Sequence, residues 1–113
     1  DCIWISNHAG RMFNSGISTI EALNEISNKL KRKDAKIIID SGIRSGSDII
    51  KSLCLGADFV AIGKPALCGL INEGSLGVKT TFSILKNELR TAMINSGFKN
   101  LTNMRKNRLR ISL

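Results

Sequence analysis

The chain of 113 residues is one small domain or a piece of a larger one, and its 42% hydrophobic and 23% charged residues exclude wholesale disorder. No apolar run reaches the roughly 18–20 residues of a membrane helix, because the best stretch, 59–71, is broken by Lys64 and Pro65. A net charge of +8 invites a nucleic-acid reading, but no Tyr, one Trp and four Phe leave few stacking platforms, so no nucleic-acid partner is expected.

The chain opens Asp1-Cys2-Ile3-Trp4-Ile5, without an initiator Met or a basic leader, so a fragment, a processed chain or a cropped domain is expected. Residues 2–6 predict a short strand buried on both faces, with Trp4 in the core. Ser18-Thr19-Ile20-Glu21 carries the capping-box spacing, and Ile20, Leu23, Ile26 and Leu30 mark one face of the helix that follows. The cations at 29, 31, 32 and 33 suit the end of that helix. Residues 36–40 predict a second buried strand, rich in isoleucine. A glycine-containing loop, 41–46, leads to a second helix over about 47–55, with Gly56 as its left-handed stop. Residues 59–62 form the third strand, and Pro65 fits the first turn of what comes next. A longer helix is expected over about 76–96, with Phe82, Leu85, Leu89 and Met93 on one face and Gly97 ending it. From Lys99 onward Lys106, Arg105, Arg108 and Arg110 stand without an acid, which reads as a solvated basic tail with anionic lipid headgroups or a partner as its alternatives.

Cys2, Cys54 and Cys68 are odd in number, far apart and never in a C-x-x-C pair. With His8 the only imidazole, neither a metal site nor a disulfide framework is expected. All three cysteines read as interior residues, and a reducing, cytoplasmic setting follows, at the inner membrane surface if the tail meets lipid.

Strands alternating with helices predict an α/β fold with a parallel sheet. Three strand–helix units are too few for a closed barrel, which needs about 200–250 residues. The polar residues gather just after each strand: Ser6-Asn7-His8-Ala9-Gly10-Arg11, then Asp40-Ser41-Gly42-Ile43-Arg44, then Gly63-Lys64. Ligands bind at the carboxyl ends of strands in such folds, so the three clusters point to one shared site. Gly42 and Gly63 allow close approach, while Arg44 and Lys64 bring cations, which together suit a phosphate. His8 has the chemistry of a base near neutrality, or of a structural histidine. Arg11 can hold a carboxylate through a two-point grip, or serve as a surface ion-pair residue. Asp40 can orient a cofactor hydroxyl or cap the adjacent turn.

Residues 4–11, with the text W-I-S-N-H-A-G-R, followed by D-S-G-I-R-S-G at 40–46 and G-K-P at 63–65, resemble the FMN-dependent α-hydroxy acid dehydrogenases. The resemblance runs over about residues 1–100 in the family's order and spacing, and S-N-H-x-G-R is its most specific element. It implies a (β/α)8 barrel of which this chain is the last three βα units plus a C-terminal helix. It also implies residues 1–100 as barrel and 101–113 as basic tail. By the same resemblance His8 is the active-site base and Arg11 the binder of the substrate carboxylate. Asp40, Gly42, Arg44, Gly63 and Lys64 would contact FMN, with Ser6 near the flavin or substrate. The chain departs from the pattern at Ala9-Gly10, at Met12-Phe13-Asn14, at Ser41 where a glycine is common, and at Lys64 where an arginine is usual.

The implied activity is oxidation of a small L-2-hydroxy acid, L-lactate foremost, with a quinone, a cytochrome or oxygen taking the electrons. Part of that active site would lie on earlier strands, so the chain alone is expected to be inactive. A homo-oligomer is implied for the intact enzyme. The rivals are another FMN- or phosphate-binding barrel enzyme, which would lack S-N-H-x-G-R, and a non-catalytic truncated remnant.

Overall fold

A computed structural model describes residues 1–13, 15–30 and 35–106. Strand β1 (Cys2–Ile5), strand β2 (Lys36–Ile39) and strand β3 (Phe59–Val60) form a parallel sheet in the order β1-β2-β3. Between them lie helix α1 (Thr19–Lys29) and helix α2 (Gly46–Leu55), and after them helix α3 (Lys64–Asn95) and helix α4 (Leu101–Lys106). The register pairs Ile3 with Ile37, Trp4 with Ile38 and Ile5 with Ile39.

Side chains alternate across a strand, so only every second residue can meet the helices. Ile5, Ile37 and Ile39 do so, packing with Leu23, Leu55 and Ala57 into one buried cluster. The other face is open. Trp4 is 61% exposed and Phe59 57% exposed, which corrects the expectation of strands buried on both faces and of Trp4 in the core. The physical reason is parity: Cys2, Trp4, Lys36, Ile38 and Phe59 stand on the face that no helix covers among the described residues. Cys2 and Cys68 are exposed as well, and of the cysteines only Cys54 is buried, where burial pushes its thiol pKa up.

Local signals set the helix ends, those at Ser18 and Gly56 as expected. Ser18 accepts from the Glu21 amide while the Glu21 carboxylate accepts from the Ser18 amide, completing the box that starts α1. Ser45 and Asp48 form a second box at the start of α2, and Gly56, at φ 117°, closes that helix. Pro65 stands in the first turn of α3. That helix begins at Lys64 rather than near residue 76, and Glu73 and Gly74 break it, Gly74 at φ 58° and ψ −136°. The two segments then pack so closely that a Cβ on Gly77 would overlap the backbone of Gly69.

The residues read as the beginning of a solvated tail behave differently. Residues 101–106 form α4, and Met104 is fully buried against Ile50, Leu53 and Cys54, with Leu89, Met93 and Phe98 beside it. Met104 docks it, while Leu101 stays largely exposed. The remainder of the basic tail, 107–113, and most of the basic cluster after α1, 31–34, fall outside the described residues. Among the described residues no helix is long and apolar enough to cross a membrane.

Helix α2 is held against α3 by Gly46. Its amide donates to Glu88 Oε2 at 2.8 Å, and a Cβ there would overlap the backbone of Glu88 and Leu89. Gly46→Ala must therefore push two helices apart, and we expect a loss on the order of 3 kcal/mol, the upper part of the overpacking range. Urea unfolding of the variant beside the parent chain checks this; an unchanged midpoint would mean that the helices do not touch there.

Candidate active site

Sheet parity brings the site together. Trp4, Ser6 and Asp40 continue the uncovered face at the carboxyl ends of β1 and β2, and all three line one cavity of about 480 Å³. His8 and Arg11 reach it from the loop after β1. Ser41, Ile43 and Arg44 reach it from the loop after β2, and Gly63 and Lys64 from the end of β3. Seven of the eight residues singled out in the sequence thus face one space: Ser6, His8, Arg11, Asp40, Arg44, Gly63 and Lys64. Gly42 does not. Its φ of 81° makes the turn after β2, and it lines a second cavity of about 280 Å³ beside the start of α1.

Asp40 is the polar centre of this space. Its Oδ2 accepts from Trp4 Nε1 at 3.0 Å and its Oδ1 from Ser41 Oγ at 2.6 Å. Burial pushes its pKa up, but hydrogen bonds from Ser41, Ser6 and Trp4, helped by the charge of His8, outweigh that and hold it below the ordinary carboxylate range. Asp40 is therefore an anion at neutral pH. Trp4, taken as core, is instead a wall of the cavity and a donor to its carboxylate. Its parity with Ser6 and opposition to Ile3 and Ile5 was the signal that could have placed it.

The loop after β1 is a left-handed turn. His8, Ala9 and Gly10 have φ of 54°, 57° and 74°, two of them in a region that side chains disfavour. Such a turn places His8 and Arg11 on the cavity side of the loop, although they are three residues apart.

Two helices begin beside the cavity, and they differ. At the start of α2 the Asp48 carboxylate accepts from the Arg44 and Ser45 amides, both at 3.0 Å, so an internal anion already fills that end. At the start of α3 no side chain caps the helix, Gly63 precedes it, and a Cβ on Gly63 would meet nothing within 4 Å. With Lys64 alongside and Arg44 across the cavity, the start of α3 is the end open to a phosphate. The sequence pattern, which predicts the long helix only from about residue 76, does not reveal this start.

Burial pushes the Asp48 pKa up, but the Arg44 amide, the Ser45 hydroxyl and amide and the charge of Lys51 together bring it below its ordinary value. A carboxylate lowered on folding stabilises the fold above its unfolded pKa, about 3.9 for Asp, and loses that contribution as pH falls through the lower folded value. The urea midpoint should therefore drop as pH falls below about 4. Asp48→Asn should flatten part of that drop; an identical pH profile for variant and parent would remove Asp48 from the explanation.

The comparisons with known proteins agree with this arrangement. The model of the FMN-dependent dehydrogenase family matches residues 1–111. The chain belongs to that family. It is 39% identical to an L-lactate dehydrogenase of Pseudomonas entomophila over 96% of this chain and 28% of that protein. It is 36% identical to human 2-hydroxyacid oxidase 2 over 97% of this chain and 31% of that protein. A mandelate oxidase solved with a monooxide FMN adduct superposes with a TM-score of 0.85 at 35% identity, covering 92% of this chain and 33% of that one. The chain thus spans under a third of the length of the curated relatives named here. FMN is the family's cofactor, and the residues present fit it. Gly63 leaves an open cradle at an uncapped helix start, Lys64 and Arg44 offer cations for a phosphate, and Asp40 offers a carboxylate for a hydroxyl.

Proposed function

We propose that this chain supplies the phosphate-binding, substrate-carboxylate and proton-accepting part of an FMN-dependent enzyme that oxidises an L-2-hydroxy acid, L-lactate foremost, to the 2-oxo acid. The observation that carries the reading is the meeting of His8, Arg11, Asp40, Arg44 and Lys64 around one cavity at the strand ends. Lactate and related 2-hydroxy acids are favoured by the names of the relatives, which include a lactate dehydrogenase and a 2-hydroxyacid oxidase.

FMN, when bound, supplies the acceptor for two electrons. Lys64, Arg44 and the start of α3 would hold its phosphate, and Asp40 a hydroxyl of its ribityl chain. Arg11 binds the substrate carboxylate through paired N–H donors and so fixes which face of the substrate carbon is turned to the flavin. His8 takes the substrate proton as the electrons leave. The imidazole then carries a positive charge, in a cavity that Asp40 also lines. Each role needs the others within a few ångströms, and the left-handed turn after β1 puts His8 and Arg11 on the same side.

The chain is read as the last three βα units of a (β/α)8 barrel. The sheet supports this: it is parallel, β1 and β3 are its edges, and one apolar face has no cover. In a barrel those edges pair with further strands and that face turns inward. The isolated chain should accordingly bind FMN weakly and oxidise no lactate. Flavin titration of the 113-residue chain checks this, and a tight stoichiometric complex that turns over lactate would show that no further strands are needed.

The function itself is tested in a chimera in which these residues replace the matching segment of the Pseudomonas entomophila L-lactate dehydrogenase. The chimera should retain one FMN per chain and be reduced by L-lactate without oxygen. A folded chimera that holds FMN but is not reduced by L-lactate or any other 2-hydroxy acid would refute the reading.

A further inference from the structure

One hydroxyl joins the loops after β1 and β2, and none of the roles above uses it. Four successive amides, those of His8 to Arg11, run through the left-handed turn. Three are satisfied inside the loop: His8 N–H by Ser6 Oγ at 3.2 Å, Gly10 N–H by the Asn7 carbonyl at 3.0 Å, and Arg11 N–H by the His8 carbonyl at 3.2 Å. The Ala9 amide instead crosses to the end of β2 and donates to Ser41 Oγ at 3.1 Å. The same hydroxyl gives its own proton to Asp40 Oδ1 at 2.6 Å, in the short range of charge-assisted hydrogen bonds.

The backbone of Ser41 adds a second, independent observation. It stands at φ 66°, directly before Gly42 at φ 81°, where glycine would be free of strain. The strained conformation is held from behind. Thr19, a buried residue at the start of α1, shares its one hydroxyl proton between the carbonyls of Asp40 at 2.7 Å and Ser41 at 3.0 Å. A side chain kept in a disfavoured conformation by its surroundings marks a place where its position matters. Here the side chain, not the turn, needs the position, since glycine would make the turn more easily.

We propose that Ser41 is the positioning residue for His8: its hydroxyl links the Ala9 amide to the Asp40 carboxylate and so locks the left-handed turn that presents His8 and Arg11 to the cavity. The importance of that turn rests on the reading of His8 as the proton acceptor. The lock itself does not. Removing the hydroxyl leaves the Ala9 amide without its partner across the loops and leaves Asp40 short of one donor. Asp40 would then be the weaker acid, because among its neighbours the Ser41 hydroxyl does most to favour its anion.

The composition makes the test clean. His8 is the only histidine and Trp4 the only tryptophan, so the imidazole ring gives a single set of NMR signals and the indole N–H a single one. The indole donates to Asp40 and therefore reports its ionisation. Ser41→Ala and Ser41→Gly would be compared with the parent 113-residue chain by amide exchange and by pH titration. Ser41→Ala keeps the backbone strain without the hydroxyl, and Ser41→Gly loses both, so it folds even if the alanine variant does not.

In both variants the Ala9 amide should exchange about tenfold faster or more, a loss comparable to one hydrogen bond. The Asp40 midpoint read at Trp4 should rise and the His8 ring signals should move, while the amides of α2 keep their protection. If Ser41→Gly leaves the Ala9 exchange rate and the midpoint at parent values, Ser41 is only a turn residue and the proposal is wrong. Neither readout involves flavin or substrate, so this failure is separate from a failure of the proposed function, which the chimera alone decides.

Discussion

In the flavin-loaded chimera, His8→Gln should slow flavin reduction by L-lactate roughly 10²–10⁴-fold, the contribution of one positioned base. Glutamine keeps much of the size and a hydrogen-bonding end, so the turn after β1 should hold its shape. What it lacks is a site that takes a proton near neutral pH. The FMN dissociation constant should stay near that of the parent, because the phosphate is assigned to the start of α3 and not to this loop. Stopped-flow reduction over a range of lactate concentrations separates a lower limiting rate from weaker binding. A His8→Gln chimera that reduces its flavin as fast as the parent would remove His8 from the chemistry.

Arg11→Lys should act mainly on substrate binding. Lysine keeps the positive charge but cannot give the planar two-point grip on a carboxylate. A charged hydrogen bond is worth about 1.5–3 kcal/mol, so the apparent dissociation constant for lactate should rise by roughly 10- to 150-fold. The limiting rate should fall less, through poorer alignment of the substrate carbon. The same stopped-flow series reads both numbers. An unchanged dissociation constant would place the substrate carboxylate elsewhere in the cavity. Together the two variants divide the loop after β1 into a proton site and an anion site, three residues apart in sequence and facing one space in the fold.

Much of this is legible in the sequence. The box at Ser18, the stop at Gly56 and the first-turn place of Pro65 are local events, decided within four residues, and local chemistry is sufficient to place or permit them; the box at Ser45 is just as local, yet the expected start of α2 near residue 47 lies past it. The clustering of polar residues after each strand likewise foretold a shared site. Most of the misplacements are non-local. Continuous apolar text in residues 2–5 and 36–39 looks the same whether the second face of the sheet is covered or open, and so Trp4 was read as core. Cys2 and Cys68 failed in the same way, because residue type says how often a side chain is buried and not what is packed upon it. Met104 shows the converse. Two apolar residues, Leu101 and Met104, are too few for a periodic signal, yet α2 and α3 leave a space that Met104 fills.

The site divides along the same line. Which residues end the strands was written in the sequence, but which helix start remained open to an anion was not. Asp48 closes the start of α2 through hydrogen bonds within its own turn, and nothing comparable caps α3. The contribution of Ser41 was invisible for another reason. A serine before a glycine reads as an ordinary turn, and only its left-handed φ and the bond across to Ala9 reveal a link between two strand ends.

The most direct measurement is a crystal structure of the chimera with FMN and the 2-oxo acid bound together. It should show the phosphate against Lys64 and the start of α3, the carboxylate of the 2-oxo acid paired with Arg11, and its oxo carbon between His8 and the flavin. A phosphate seated at another strand end, or a carboxylate out of reach of Arg11, would contradict the assignment of these strand ends to one oxidative site.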